Sequence, residues 1–105
     1  MKRELLLAIA MSSTFAGGAM ANTEKYCNTV AQMATEYVGD REARQPYATT
    51  LYTIDAAVDQ ANLSTAERQK WKRDLKASAK IAYVDFPKIT EAGIYKLVQL
   101  GCMSE

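Results

Sequence analysis

The sequence predicts an all-α fold, a small bundle of four short helices closed by one disulfide bond. Three observations favour it. Apolar residues recur at helical spacing in four segments, and strand-like alternation is absent over any useful length. The chain has two prolines, Pro46 and Pro87, and each lies between helical segments. Two cysteines, Cys27 and Cys102, lie near opposite ends of the helical region.

The first 21 residues have the three parts of a cleaved secretory signal peptide. Lys2 and Arg3 form a basic start, residues 5–11 form a short apolar core, and Ala19-Met20-Ala21 is a small-x-small cleavage site. An uncleaved anchor fits less well, because a spanning helix needs about 20 mostly apolar residues. We therefore expect a single mature domain of residues 22–105, located in a bacterial periplasm or secreted.

The cysteines are predicted to form a structural disulfide bond. In an exported protein an even cysteine count favours a disulfide, and Cys27 with Cys102 allows one intramolecular pairing. A C-x-x-C redox pair is excluded by the spacing, and a metal site is disfavoured because histidine and further cysteines are absent. Such a long closed loop contributes roughly 4 kcal/mol in the chain-entropy model.

The four helices are predicted over residues 23–44, 47–61, 65–84 and 90–103. Thr23 is the expected N-cap of the first helix. Ser64 and Glu67 fit a capping box at the start of the third, in which each side chain bonds the other residue's backbone amide. Gln45-Pro46 and Asp85-Phe86-Pro87 separate helices. The inner side of the last helix is predicted to comprise Ile94, Leu97, Val98, Gly101 and Cys102.

Charge is distributed unevenly along a nearly neutral chain. Residues 22–62 carry three basic and six acidic groups, whereas residues 63–105 carry eight basic and five acidic groups. The two halves can attract each other in the folded protein, and the asymmetry can equally guide dimerisation or a charged partner. No overall charge drives this chain to nucleic acid or to an anionic membrane.

The candidate partner-binding residues are Lys72, Lys76 and Lys80, together with Tyr52 and Tyr95. The lysines are four positions apart and so share one helix face. Tyr52 and Tyr95 fit the apolar stripes least well among the tyrosines, which favours surface positions suited to binding. The simpler interpretation of the lysines is a solvated helix face beside a core tryptophan.

The sequence predicts no enzyme activity, catalytic residue, metal site or cofactor. Histidine, the commonest general base, is absent, and we find no nucleophile elbow or glycine-rich phosphate loop. Asp55 and Asp59 lie one turn apart on a helix, where such a pair is usually solvated.

Three segments resemble a loose group of largely uncharacterised small exported helical proteins of proteobacteria and their phages. They are "YCNTVAQMATEYVGDREAR", "KASAKIAYVDFP" and "LVQLGCMSE". The resemblance implies a helical fold and an exported location rather than an activity. The chain is also similar in size and disulfide count to periplasmic acid-activated chaperones, but its cysteines lie at the extreme ends and it has no histidine.

The leading functional hypothesis is a non-enzymatic periplasmic or secreted accessory protein that modulates another periplasmic protein. Two alternatives remain open at this point. One is a chaperone activated by acid or stress, and the other is a carrier of a small ligand. After cleavage of the signal peptide we expect no stable membrane insertion.

Overall fold

The computed structural model describes residues 22–105, and the signal-peptide prediction for residues 1–21 lies outside them. Within the described residues there are four α-helices and no strand: α1 (Glu24–Glu42), α2 (Tyr47–Gln60), α3 (Thr65–Lys80) and α4 (Glu91–Met103). A short π-helical turn, Ile81–Asp85, continues α3. The predicted all-α fold is confirmed, as is the Cys27–Cys102 disulfide.

Helix α1 is the centre of the bundle and contacts every other element. The Thr23 hydroxyl accepts a hydrogen bond from the Tyr26 amide at 3.1 Å, which is the predicted N-cap. At the other end α1 stops two residues earlier than predicted. The Arg44 and Gln45 amides bond back to Arg41 and Asp40, and Arg44 has φ 65°, so the chain leaves through a left-handed cap.

Helices α2 and α3 form a hairpin on one side of α1. The predicted capping box starts α3: the Glu67 amide donates to the Ser64 hydroxyl at 3.2 Å, and the Ser64 amide donates to the Glu67 carboxylate at 2.8 Å. The Trp71 ring on α3 is fully buried and packs against Tyr26 of α1 with ring centroids 4.5 Å apart. Near the start of α1, Asn22 bonds Lys70 of α3, and near its end Arg41 bonds Ala82 just beyond α3, so these two helices run in the same direction.

The third helix was predicted to run from Thr65 to about Val84, and helical structure continues to Asp85, but the last turn, Ile81–Asp85, is π-helical and not α-helical. The Phe86 amide donates to the Ile81 carbonyl rather than to Ala82, which makes the turn π-helical. The carbonyl of Ala82 then lacks its usual partner, and the Arg41 guanidinium donates to it at 2.9 Å. Pro87 prevents any continuation of the helix.

Helix α4 runs antiparallel to α1 and packs mainly against it. The disulfide joins the start of α1 to the end of α4, and the Gln99 amide donates to the Asn28 side chain at 2.6 Å. Ile94 and Val98 are buried as predicted. Leu97 and Gly101, which were also predicted to face inward, are exposed, because no helix within residues 22–105 packs against the flank of α4 that carries them.

Candidate functional site

The predicted basic face of α3 is an intramolecular ion-pair surface. The Lys72 ammonium lies 2.9 Å from an Asp59 carboxylate oxygen, and the Lys76 ammonium lies 2.8 Å from Asp55. Lys72 also approaches Asp55 at 3.6 Å. The acidic side chains on α2 thus offset the basic ones on α3. The two oppositely charged halves of the chain therefore attract each other, which is one of the outcomes that the charge asymmetry allowed. Asp55 and Asp59 were expected simply to face water, and this is corrected by their ion pairs with α3.

The pKa values of this pair change in opposite directions. The hydrogen bond from Lys72 lowers the pKa of Asp59, and the same bond raises the pKa of Lys72. The contribution of Asp59 is present above its unfolded-state pKa and is lost as pH falls through the lowered folded-state pKa. The contribution of Lys72 is present below its unfolded-state pKa and is lost as pH rises through the raised folded-state value.

Replacing Asp59 with asparagine is expected to flatten the acid limb of the stability profile. Urea unfolding midpoints measured from about pH 2 to pH 7 should fall less steeply on acidification than those of the wild-type protein. Because both side chains are solvent-accessible, the difference should be small and should shrink in about 1 M salt. Glu24→Gln, at an exposed carboxylate at the start of α1, is the matched control. Identical profiles for the wild-type protein and Asp59→Asn would contradict the assignment.

The structure does not bring all the predicted binding residues together. Lys80 is exposed and approaches Asp85 of the π-helical turn at 3.5 Å. Tyr52 is 73% exposed and lies three positions before Asp55, on the same face of α2. Tyr95 is half-buried on α4 and lines a separate shallow cleft against α1. Their role in partner binding stays a prediction.

A second surface stands out, an apolar groove of about 400 Å³ between α3 with its π-helical turn and α4. We call it the α3–α4 groove. Phe86 at its edge is 55% exposed, and Leu97 in its wall is 42% exposed. Seven further lining residues are small or apolar: Val30, Ala77, Ser78, Ile81, Val98, Gly101 and Cys102.

Two of the exposed apolar side chains of the described residues, Phe86 and Leu97, line this groove. Six large hydrophobic residues are exposed, and five of them lie in the π-helical turn, directly after it, or on α4. These five are Val84, Phe86, Leu97, Leu100 and Met103. A concentration of this kind marks an interaction surface more often than scattered single residues do.

Three carboxylates complete the lining of the groove, from Asp74, Asp85 and Glu105. Asp74 is half-buried, accepts a hydrogen bond from the Tyr26 hydroxyl and pairs with Lys70 at 3.4 Å. Burial and then the bond to Asp74 raise the pKa of Tyr26 well above its ordinary value, so the phenol keeps its proton. Asp74 is therefore a structural group as well as a groove carboxylate.

The sequence did not predict the groove, because its residues belong to helices whose apolar faces have the same spacing as faces buried in a core. One signal for it is present in the sequence. Helix α4 carries Leu97, Leu100 and Met103 in addition to its buried Ile94 and Val98, so its apolar surface is wider than α1 alone can cover. A helix that is apolar over most of its circumference requires burial on more than one side.

Comparisons with protein-family models, curated proteins and solved structures found no match to this chain. The resemblance to small exported helical proteins therefore stays a prediction. Among residues 22–105, no group of three or more histidine, cysteine or acidic side chains is arranged to hold a metal ion. No helix in that range is both long enough and apolar enough to cross a bilayer.

Proposed function

We propose that this protein is a non-enzymatic binding protein that modulates another exported protein by holding an apolar segment of it in the α3–α4 groove. The observation that carries the proposal is the exposure of Phe86 and Leu97 in the lining of this apolar groove. Covering them removes apolar area from water, which favours association by about 25 cal/mol per Å² before the costs of binding.

The basic face of α3 supports a partner site less well than the groove does. Lys72 and Lys76 already have carboxylate partners at 2.9 and 2.8 Å, and a new partner would have to compete for them. In the groove, Phe86 and Leu97 offer apolar surface that no other described element covers. We therefore place the primary contact in the groove and treat the lysine face as a secondary candidate.

Site-specific photo-crosslinking tests this function. A photoreactive phenylalanine analogue at Leu97 should form an adduct of defined mass with another exported protein in the native host. The same analogue at Tyr52, which is more exposed but lies on α2, is the matched control and should not. Equal adducts from both positions, or no adduct with another protein from Leu97, would contradict the proposal.

The same assay separates the two surfaces. Leu97→Asp should abolish capture by a probe placed at Phe86, whereas the triple variant Lys72→Ala, Lys76→Ala, Lys80→Ala should leave it unchanged. The reverse result would assign partner binding to the lysine face.

The groove volume also favours a second candidate, carriage of a small apolar ligand, since ligand sites of about 300–1,000 Å³ are usual. Native mass spectrometry of protein purified from the host tests this candidate. A co-purifying small molecule that is lost in Leu97→Asp would support a carrier, and an unliganded mass would count against it.

A further inference from the structure

The two cysteines of the disulfide differ in their access to solvent. Cys27 is fully buried in the hydrophobic core. Cys102 is only partly buried, and it is one of the residues that line the α3–α4 groove. In the folded protein, a reagent in solution can therefore approach the disulfide from the side of Cys102 and not from the side of Cys27.

The groove leaves open space beside Cys102. Gly101 precedes it on α4, and a Cβ atom added at Gly101 would meet no atom of the described residues within 4 Å. Ala77 and Ser78, on the α3 side of the groove, have small side chains. The groove volume of about 400 Å³ is within the range of sites that hold a small molecule. A small molecule in the groove can therefore come close to Cys102.

The position of Cys102 in its helix allows it to move once the disulfide is broken. It lies in the last turn of α4, which ends at Met103. Helix ends open locally at a lower free energy than the packed centre of a fold. The link from the Asn22 amide to the Cys102 carbonyl, at 3.0 Å, is a single hydrogen bond. Cys102 can thus turn toward solvent while Cys27 stays in the core.

We infer that the Cys27–Cys102 disulfide is a thiol-exchange site, at which a low-molecular-weight thiol enters through the α3–α4 groove and attacks Cys102. The attacking thiol loses its proton, and its sulfur forms a bond with the Cys102 sulfur. The bond between the two protein sulfurs breaks, its electron pair stays on the Cys27 sulfur, and Cys27 takes up a proton. The products are a mixed disulfide at Cys102 and a free thiol at Cys27, so the exchange needs no further oxidant or reductant.

The burial of Cys27 decides how fast the exchange runs in each direction. A thiolate is costly to hold in an apolar core, so the released Cys27 is kept as a thiol, which is a poor nucleophile. Its return attack on the mixed disulfide is therefore slow, and the adduct at Cys102 lasts long enough to be trapped. The same burial makes Cys27 a poorer leaving group, so the forward reaction should be slower than that of an exposed disulfide.

The exchange would change the groove itself. Helix α4 forms one wall of the groove, and the disulfide fixes this helix to α1. A mixed disulfide at Cys102 removes that link and adds the bulk of the thiol to the lining. The groove is then complete only in the oxidised protein. The attack at Cys102 does not depend on the function proposed above.

Peptide mapping of the mixed disulfide tests the inference. The oxidised protein is incubated with reduced glutathione, and the reaction is stopped with excess N-ethylmaleimide in denaturant. Trypsin places the cysteines in separate peptides, residues 26–41 and 97–105. In the folded protein, glutathione on 97–105 should exceed glutathione on 26–41 by about tenfold. When the reaction itself is run in denaturing guanidinium chloride, the two peptides should carry similar amounts, because both sulfurs are then exposed.

Two substitutions at Gly101 test entry through the groove. Leucine would place a side chain in the open space beside Cys102, whereas alanine adds little bulk. Both residues raise the helix propensity by a similar amount, so the comparison isolates the bulk. We expect Gly101→Leu to form the Cys102 adduct about fivefold more slowly than Gly101→Ala. Ala92→Leu, at an exposed position of α4 outside the groove lining, is the matched control and should react at the wild-type rate.

Each part of the inference has an outcome that would overturn it. Equal glutathione on both peptides of the folded protein would mean that the disulfide reacts only after unfolding. Equal rates for Gly101→Leu and Gly101→Ala would exclude entry through the groove. No adduct at Cys102 in the folded protein would overturn the exchange site as a whole.

A thioredoxin variant that keeps only its attacking cysteine distinguishes a protein thiol from a small one. We expect glutathione to react more readily, because a folded protein cannot enter the groove. An adduct with the thioredoxin variant, with none from glutathione, would overturn the low-molecular-weight partner. Photo-crosslinking at Leu97 involves no thiol, so failure of the proposed function and failure of this inference are observed separately.

Discussion

Replacing both Cys27 and Cys102 with alanine is expected to lower the free energy of unfolding by about 4 kcal/mol. The disulfide spans a sequence separation of 75 residues, so its loss restores much conformational freedom to the unfolded chain. A domain of this size has a total stability of only about 4–13 kcal/mol. The double variant should therefore unfold at a much lower urea concentration than the wild-type protein, measured by circular dichroism.

The loss should be concentrated in α4. That helix packs mainly against α1, and the disulfide lies near its C-terminal end. The Asn22 amide, which donates to the Cys102 carbonyl at 3.0 Å, and the Gln99–Asn28 bond remain as weaker links. Hydrogen exchange should thus show faster exchange in α4 than in α3 of the variant.

Wild-type protein treated with a reductant is the control for cavity effects of alanine, and it should match the double variant within about 1 kcal/mol. A double variant as stable as the oxidised wild-type protein would mean that packing alone holds α4, contrary to this prediction.

Replacing Arg41 with methionine is expected to lower the free energy of unfolding by about 3 kcal/mol. The change removes several charge-assisted hydrogen bonds and leaves their acceptors without a donor. The guanidinium donates to the Ala82 carbonyl and to the Ile89 carbonyl, each at 2.9 Å, and more weakly to Phe86 at 3.4 Å. Its side chain is only 14% exposed, so water cannot fully replace these bonds. Urea unfolding measures the loss.

Two variants sharpen the test of Arg41. Arg41→Lys keeps the charge but cannot reach two carbonyls with a planar fork, so most of the loss should persist. Lys88→Ala removes an exposed charge from the same loop and should change the stability by less than about 0.5 kcal/mol. If Arg41→Met costs no more than Lys88→Ala, the π-helical turn does not depend on this guanidinium.

Arg41 also links stability to the groove. By holding the backbone at Ala82 and Phe86, it sets the position of the Phe86 ring at the groove edge. Arg41→Met is therefore expected to weaken capture of the partner by a probe at Leu97 even under conditions in which the variant is fully folded.

Much of the fold was readable from local chemistry. The hydroxyl of Thr23 and the Ser64–Glu67 box identify helix starts without reference to any tertiary contact, because a cap depends on residues within one turn. Two cysteines allow only one pairing within the chain, so the disulfide was also predictable. The π-helical form of the last turn, Ile81–Asp85, was not, because Arg41 stabilises it from 41 residues away.

The candidate site shows the same division between local and distant causes. The sequence by itself determined that four amphipathic helices form, where most of them begin, and that oppositely charged halves can pair. Only the tertiary structure decided that Lys72 and Lys76 are neutralised by α2, and that Leu97 and Phe86 border a groove. The physical reason is that helical periodicity identifies an apolar face, whereas the relative placement of helices decides whether that face is covered.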